Sequence, residues 1–192
     1  GGDTLTGGGG ADIINTGAAD DDVVDLIRFS ATGTADFGDT INNFDADGTV
    51  DRVEFGGTLN TLFDDGLGAI DDNFQFVSGN GVNNDNIAVN LTVTEALFLN
   101  GANGEGVTNG DLNDAGDAGD VATEFNAEFN LTAGNGEATL LVINDTNGNS
   151  AAVWRWVQAD GDSDNAIDAA ELSLIGVINA NATVTTASFD FF

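Results

Sequence analysis

Gly1, Asp3 and Leu5 recur nine positions later as Gly10, Asp12 and Ile14. The second copy sits in the run Gly7-Gly8-Gly9-Gly10-Ala11-Asp12-Ile13-Ile14-Asn15, which fits the nonapeptide G-G-x-G-x-D-x-U-x, where U is a large apolar residue. The spacing has a mechanism. Glycines permit a tight turn with its carbonyls aimed inward, the Asp adds a charged oxygen, and the x-U-x triplet makes a short strand. One turn and one strand make half a coil, and a unit of this kind buries its apolar residue only by stacking on another. A flexible glycine-rich linker has no reason to hold an Asp and an apolar residue in register over two copies. A phosphate-cradling loop would need the Lys-Ser/Thr that is absent here.

The charge balance narrows the partner of those turns. Thirty-three acidic residues face three basic ones, for a formal net charge of −30. A compact fold of that charge repels itself unless cations are bound, and calcium, a hard cation that takes carboxylate and carbonyl oxygens, is the natural candidate. An acidic disordered tail is a poor description, because 41% of the residues are apolar and thirteen Phe are spread along the chain. His, Cys, Lys, Met, Tyr and Pro do not occur. Ser-His and Cys-His pairs, thiolate zinc sites, Schiff-base lysines and Walker lysines are therefore excluded. With Arg28, Arg52 and Arg155 the only basic residues, nucleic acid is not an expected partner. No apolar run approaches the roughly 20 residues a membrane-spanning helix requires, so membrane insertion is not expected either.

On these repeats the chain resembles the RTX family, whose nonapeptides build a parallel β-roll that binds calcium between successive turns. The pattern loosens beyond residue 15 but persists. Asp20-Asp21-Asp22-Val23-Val24-Asp25-Leu26-Ile27 sets an acidic turn before an apolar strand; these acids read equally as calcium ligands or as solvated turn residues. Gly38-Asp39-Thr40-Ile41-Asn42-Asn43-Phe44-Asp45 then leads into Asp47-Gly48-Thr49-Val50-Asp51-Arg52-Val53-Glu54-Phe55, similar to the segment that often follows the roll in RTX proteins. The candidate calcium ligands of this region are Gly1, Asp3, Gly8, Gly10, Asp12, Asp20, Asp22, Asp39, Asp45, Asp47 and Asp51.

A second calcium signal lies far along the chain. Asp160-Gly161-Asp162-Ser163-Asp164-Asn165-Ala166-Ile167-Asp168-Ala169-Ala170-Glu171 reads as a complete twelve-position loop of the EF-hand kind. Asp160, Asp162, Asp164, Asp168 and Glu171 fall at positions one, three, five, nine and twelve, and Ala166 at seven offers its backbone carbonyl. Asn165 replaces the usual glycine at position six, tolerable because Asn enters the left-handed region more readily than other residues with a Cβ. The preceding Ala152-Val153-Trp154-Arg155-Trp156-Val157 is β-rich, so the loop is expected between strands, as a static site.

The remaining segments predict strands near Phe74 to Val77, Ile87 to Val93, Ala96 to Leu99 and Ala138 to Ile143. Between Asp120 and Phe129 the i, i+4 spacing of Val121, Phe125 and Phe129 predicts one short helix, with Asp117 or Asp120 placed to cap it. Alternation in Val153 to Val157 puts both indoles on one face, a core pair by default and a sugar- or subunit-stacking pair by the sharper reading. The expected fold is mainly β: a short parallel β-roll over residues 1–56, followed by a β-rich domain over 57–192 with one short helix.

Ser188-Phe189-Asp190-Phe191-Phe192 resembles the carboxy-terminal signal of type I secretion substrates, and the chain opens in mid-motif, as a fragment or processed product would. The resemblance therefore implies a secreted, calcium-folded protein of the bacterial surface that is handled by type I secretion machinery. The expected role is non-enzymatic, an S-layer, adhesin or filament subunit that contacts copies of itself. The alternative is the export and folding module of a secreted RTX protease or lipase. A carboxylate-only glycosidase is a weaker third reading, since no defined acid pair stands out.

Overall fold

The computed structural model describes residues 1–18, 23–29, 37–47, 50–57, 59, 63, 76–79, 86–91, 94–100, 115–132, 138–145, 149–158 and 165–191. Within them the chain is mainly β. The first five strands alternate between two sheets: β1 (Thr4–Leu5), β3 (Leu26–Phe29) and β5 (Arg52–Phe55) lie parallel in one, β2 (Ile13–Asn15) and β4 (Asp39–Phe44) parallel in the other. Each strand begins on a D-x-U triplet. Asp3-Thr4-Leu5, Asp12-Ile13-Ile14, Asp25-Leu26-Ile27, Asp39-Thr40-Ile41 and Asp51-Arg52-Val53 place an acid at the end of the turn and an apolar residue two positions on. The alternation turns Ile14, Ile27, Ile41 and Val53 into the space between the sheets, where all are at most 7% exposed.

The roll is closed by the other end of the chain. β12 (Leu172–Ala180) lies parallel to β4 with Ile178 opposite Ile41, and β13 (Phe189–Phe191) lies parallel to β5 with Phe189 opposite Val53. The first sheet thus runs β1-β3-β5-β13, and the second continues without a break as β2-β4-β12-β11-β10-β8-β6. The added strands are β6 (Phe76–Gly79), β8 (Ala96–Leu99), β10 (Ala138–Asn144) and β11 (Ser150–Val157). Only β11 runs against its neighbours. This seven-stranded sheet crosses position 56, so the strands of residues 1–56 share their hydrogen bonding with the strands that follow.

At β8, β10 and β11 the long sheet is covered on both faces, which is why β8 and β10 read as unbroken apolar runs. Toward the four-stranded sheet, Phe98, Leu140, Val142 and Val153 join Phe29, Phe55 and Phe189 in one core. On the opposite face Leu97, Leu141, Trp154 and Trp156 pack with α1 (Ala118–Glu128) and with the parallel pair β7 (Ile87–Asn90) and β9 (Phe129–Thr132). Trp154 and Trp156 are 1% and 0% exposed, so the pair is core and presents no stacking platform.

The helix starts two residues earlier than its apolar spacing predicts. It stops before Phe129, whose extended backbone (φ −111°, ψ 140°) begins β9. Asp117 occupies the N-cap position without a side-chain cap hydrogen bond. Phe129 keeps its apolar role, stacked on Phe125 at 5.9 Å between ring centroids.

Candidate functional site

The acids at the strand starts form two ladders. Asp3, Asp25 and Asp51 occupy equivalent positions in successive coils, one residue before the register partners Thr4, Leu26 and Arg52. The Asp25 carboxylate accepts the Asp3 backbone N–H at 2.7 Å, and Asp51 accepts the Asp25 N–H at 2.8 Å. Across the roll, Asp39 accepts the N–H of its equivalent, Asp12, at 2.9 Å. Each inner carboxylate therefore holds the turn of the coil before it. Asp51 does this twice, its second oxygen accepting the Asp45 N–H at 2.9 Å. Asp45 accepts the Asp47 N–H at 3.0 Å and the Asn181 side-chain amide at 2.9 Å, tying the closing turn to the end of β12.

Burial follows the ladder. Asp25, Asp39 and Asp51 are 3%, 1% and 2% exposed, whereas Asp3 is exposed and Asp12 half-buried at the open end. Loss of solvent raises the Asp51 pKa above its usual 3.8; the Asp45 and Asp25 N–H donors pull it back, and the Asp25 charge pushes it up again. The glycines serve these turns. Gly8 and Gly10 take φ values of 89° and 106°, which side chains with a Cβ rarely adopt. A Cβ on Gly7 would strike the Asp39 carboxylate. A Cβ on Gly1 would meet nothing within 4 Å.

The twelve-position loop connects the antiparallel neighbours β11 and β12, between strands as expected. Asn165, at position six, has φ 56°, in the left-handed region that a sharp loop turn demands. Both backbone groups of Ile167 are held by one side chain: Asn126 of α1 accepts its N–H and donates to its carbonyl, each at 2.8 Å. A 3-10 turn over Ala169–Glu171 closes the loop. There the Glu171 carboxylate accepts the Trp156 indole N–H at 2.7 Å and the Asp168 N–H at 3.3 Å.

These positions fit a cation loop in turn chemistry and in donor type. Asp160, Asp162 and Asp164 lie outside the described residues, as do Asp20 and Asp22 of the roll. Among the described residues, no three acidic side chains gather closely enough to hold a metal ion. The structure thus brings Asp3, Asp45, Asp47 and Asp51 together with Asp25 in one hydrogen-bonded ladder and Asp12 and Asp39 in the other, with Ala166, Asp168 and Glu171 in a separate loop.

Two contributors escape the motif reading, and Asp25, one of the turn acids open to either reading, is the middle rung of a ladder, with its D-x-U triplet the signal that identifies it. Asn126 and Trp156 anchor the loop through contacts distant in sequence, which no local pattern encodes. Comparison with known protein families, with curated proteins and with solved structures returns no match.

Proposed function

We propose that this chain is a calcium-stabilised structural protein of the bacterial cell surface, an S-layer, adhesin or extracellular filament subunit. In this reading it leaves the cell unfolded by type I secretion and folds when it meets extracellular calcium. The observation that carries the proposal is the in-register stacking of the turn acids. Asp25 and Asp51 are buried one coil apart, and the Asp25 charge adds to burial in raising the cost of ionising Asp51, the situation a bound divalent cation relieves. Without calcium, those like charges and the overall −30 favour the unfolded chain.

The terminal segment supports the same order of events. Phe189 is 5% exposed in the inter-sheet core, and Asp190 is paired with Arg52 at 2.9 Å. A secretion machine that reads this segment would find it only before folding. Circular dichroism before and after confirmed calcium removal, with electron microscopy of the same samples, tests the reading. Loss of β signal and of ordered assemblies on removal is expected, with recovery on adding calcium back. An unchanged spectrum, or particles that stay monomeric with and without calcium, would overturn it.

A further inference from the structure

The outward face of the seven-stranded sheet carries a row of amides. Asn15, Asn42 and Asn179 are register partners on β2, β4 and β12, and Ser150 of β11 continues the row opposite Asn179. The three amides border a cleft of about 400 Å³ whose lining is Asn15, Asn42, Asn43, Asn179, Ala180 and Asn181. None of these side chains is ionisable, in a chain with 33 acids.

Most of the amides are already held in place. Asn179 donates to the Asn42 side-chain oxygen at 2.9 Å, and Asn43, at φ 61°, donates to the Gly17 carbonyl at 2.9 Å. Asn181 accepts the Ala46 N–H and donates to Asp45, both at 2.9 Å. Asn15 is exposed, and among the described residues no hydrogen bond engages its side-chain amide. On the same face, two residues earlier, stands Ile13, a large apolar side chain that is 73% exposed.

We propose that this cleft binds a neutral polyhydroxylated ligand, an uncharged polysaccharide lying across the strands. The net charge repels anions, and a cation finds better ligands in the carboxylates than in amides alone. A hydroxyl both donates and accepts, as an amide side chain does, so neither is left unpaired when they meet. Strands lie about 4.8 Å apart, close to the rise of one unit in an extended polysaccharide, so successive sugars meet successive amides. Amides fixed before binding lose little entropy on contact. Ile13 offers the apolar surface on which the C–H face of a sugar ring rests. The assignment goes beyond the calcium-dependent surface role and does not rest on it.

The test is calorimetric and NMR titration of the full chain in calcium with maltoheptaose, cellohexaose and xylohexaose, and with oligogalacturonate as the anionic counterpart. The expected result is saturable binding of at least one neutral oligosaccharide, no binding of oligogalacturonate, and an affinity at least tenfold lower in Asn15→Ala and Asn179→Ala. Asn15 is on an edge strand, so Asn15→Ala and Asn15→Asp keep the test decisive even if Asn179→Ala disturbs folding. Three results would each overturn the proposal: no neutral oligosaccharide binding in the millimolar range, equal binding of the anionic one, or affinity unchanged in Asn15→Ala.

Discussion

The roll turns and the β11–β12 loop use acids in opposite ways. In the roll, the contacts that join one coil to the next link Asp residues 22, 26 and 27 positions apart, so each of these exists only when coils stack. In the loop the candidate ligands fall within twelve consecutive residues, with the closing Glu171 fixed by Trp156 and the middle fixed by Asn126. The roll ladder is therefore a property of the whole fold and should be lost with it. The loop is largely local and should keep some cation affinity when the roll is damaged.

Calcium removal should have the largest effect and strike both regions. A single site with calcium at a hundred times its dissociation constant contributes about 2.7 kcal/mol, so a few sites match the stability of a small domain. Circular dichroism should show loss of the β signal in chelator. Glu171→Gln, which touches the loop alone, should lower the melting temperature without abolishing the calcium-dependent transition. If that one change removes calcium dependence altogether, the roll has no calcium of its own and its acids serve as turn hydrogen-bond acceptors only.

Next in size is the position of an acid along its ladder. Asp51→Ala leaves two N–H groups of a buried turn without their acceptor, at about 1–3 kcal/mol each. Asp39→Ala takes the acceptor from the Asp12 N–H. Asp3→Ala removes an exposed side chain at the open end and should stay within about 0.5 kcal/mol. Denaturant melts of the three variants in calcium should rank in that order, and equal costs would contradict the ladder.

The pH response should run against ordinary acid denaturation. Burial raises the folded-state pKa of Asp51 above 3.8, so between these values the folded chain binds more protons than the unfolded one. Stability then falls as pH rises through the raised pKa and recovers as pH drops. Glu124 adds to this with the same sign, raised by burial and then by Asp120. In calcium-depleted buffer, lowering the pH from neutral toward the ordinary carboxylate value of 3.8 should increase the folded fraction seen by circular dichroism. Asp51→Asn should flatten that response.

The legible part of this molecule was the part written in short spacings. The nine-residue spacing gave the strands of Leu5 and Ile14, and the acidic turn before Leu26 gave the third. The loop numbering placed Asn165 where a left-handed residue is needed, and the fold is mainly β with one α-helix fully described, as expected. What the spacings could not carry was pairing. That β12 and β13 return to close the roll is decided by the core they complete, where Phe189 meets Phe76 with ring centroids 6.0 Å apart. The same holds at residue 56, where the roll-like segment ends in the sequence while the second sheet continues through it. Phe129 shows the limit in miniature. Its i+4 spacing fits a helix, yet pairing with Ile87 draws it into a strand.

The loop's anchor gives a smaller, cleaner test of its independence. Trp156→Phe keeps the buried ring but removes the donor to the Glu171 carboxylate, at a cost of about 1.5–3 kcal/mol for a bond to a charged group. With only two Trp in the chain, calcium titration followed by Trp emission should show a transition in the native protein and a reduced one in Trp156→Phe. An identical titration in the variant would mean that Glu171 does not respond to the ion.

The smallest effect is expected where the terminal strand meets the roll. Arg52 and Asp190 join β5 to β13 at 2.9 Å, but the two side chains are 48% and 19% exposed. Water and salt screen such a pair, so Arg52→Ala should cost about 0–1 kcal/mol and less in high salt. Arg28 and Glu54 make the sharper contrast at 2.7 Å, with exposures of 33% and 10%. Removing Arg28 strands a buried carboxylate in a chain already rich in negative charge, and Arg28→Ala should therefore destabilise more than Arg52→Ala in matched melts. If the order is reversed, β13 is held to the roll by its ion pair more than by Phe189. In that case the terminal segment would be released first when salt is raised.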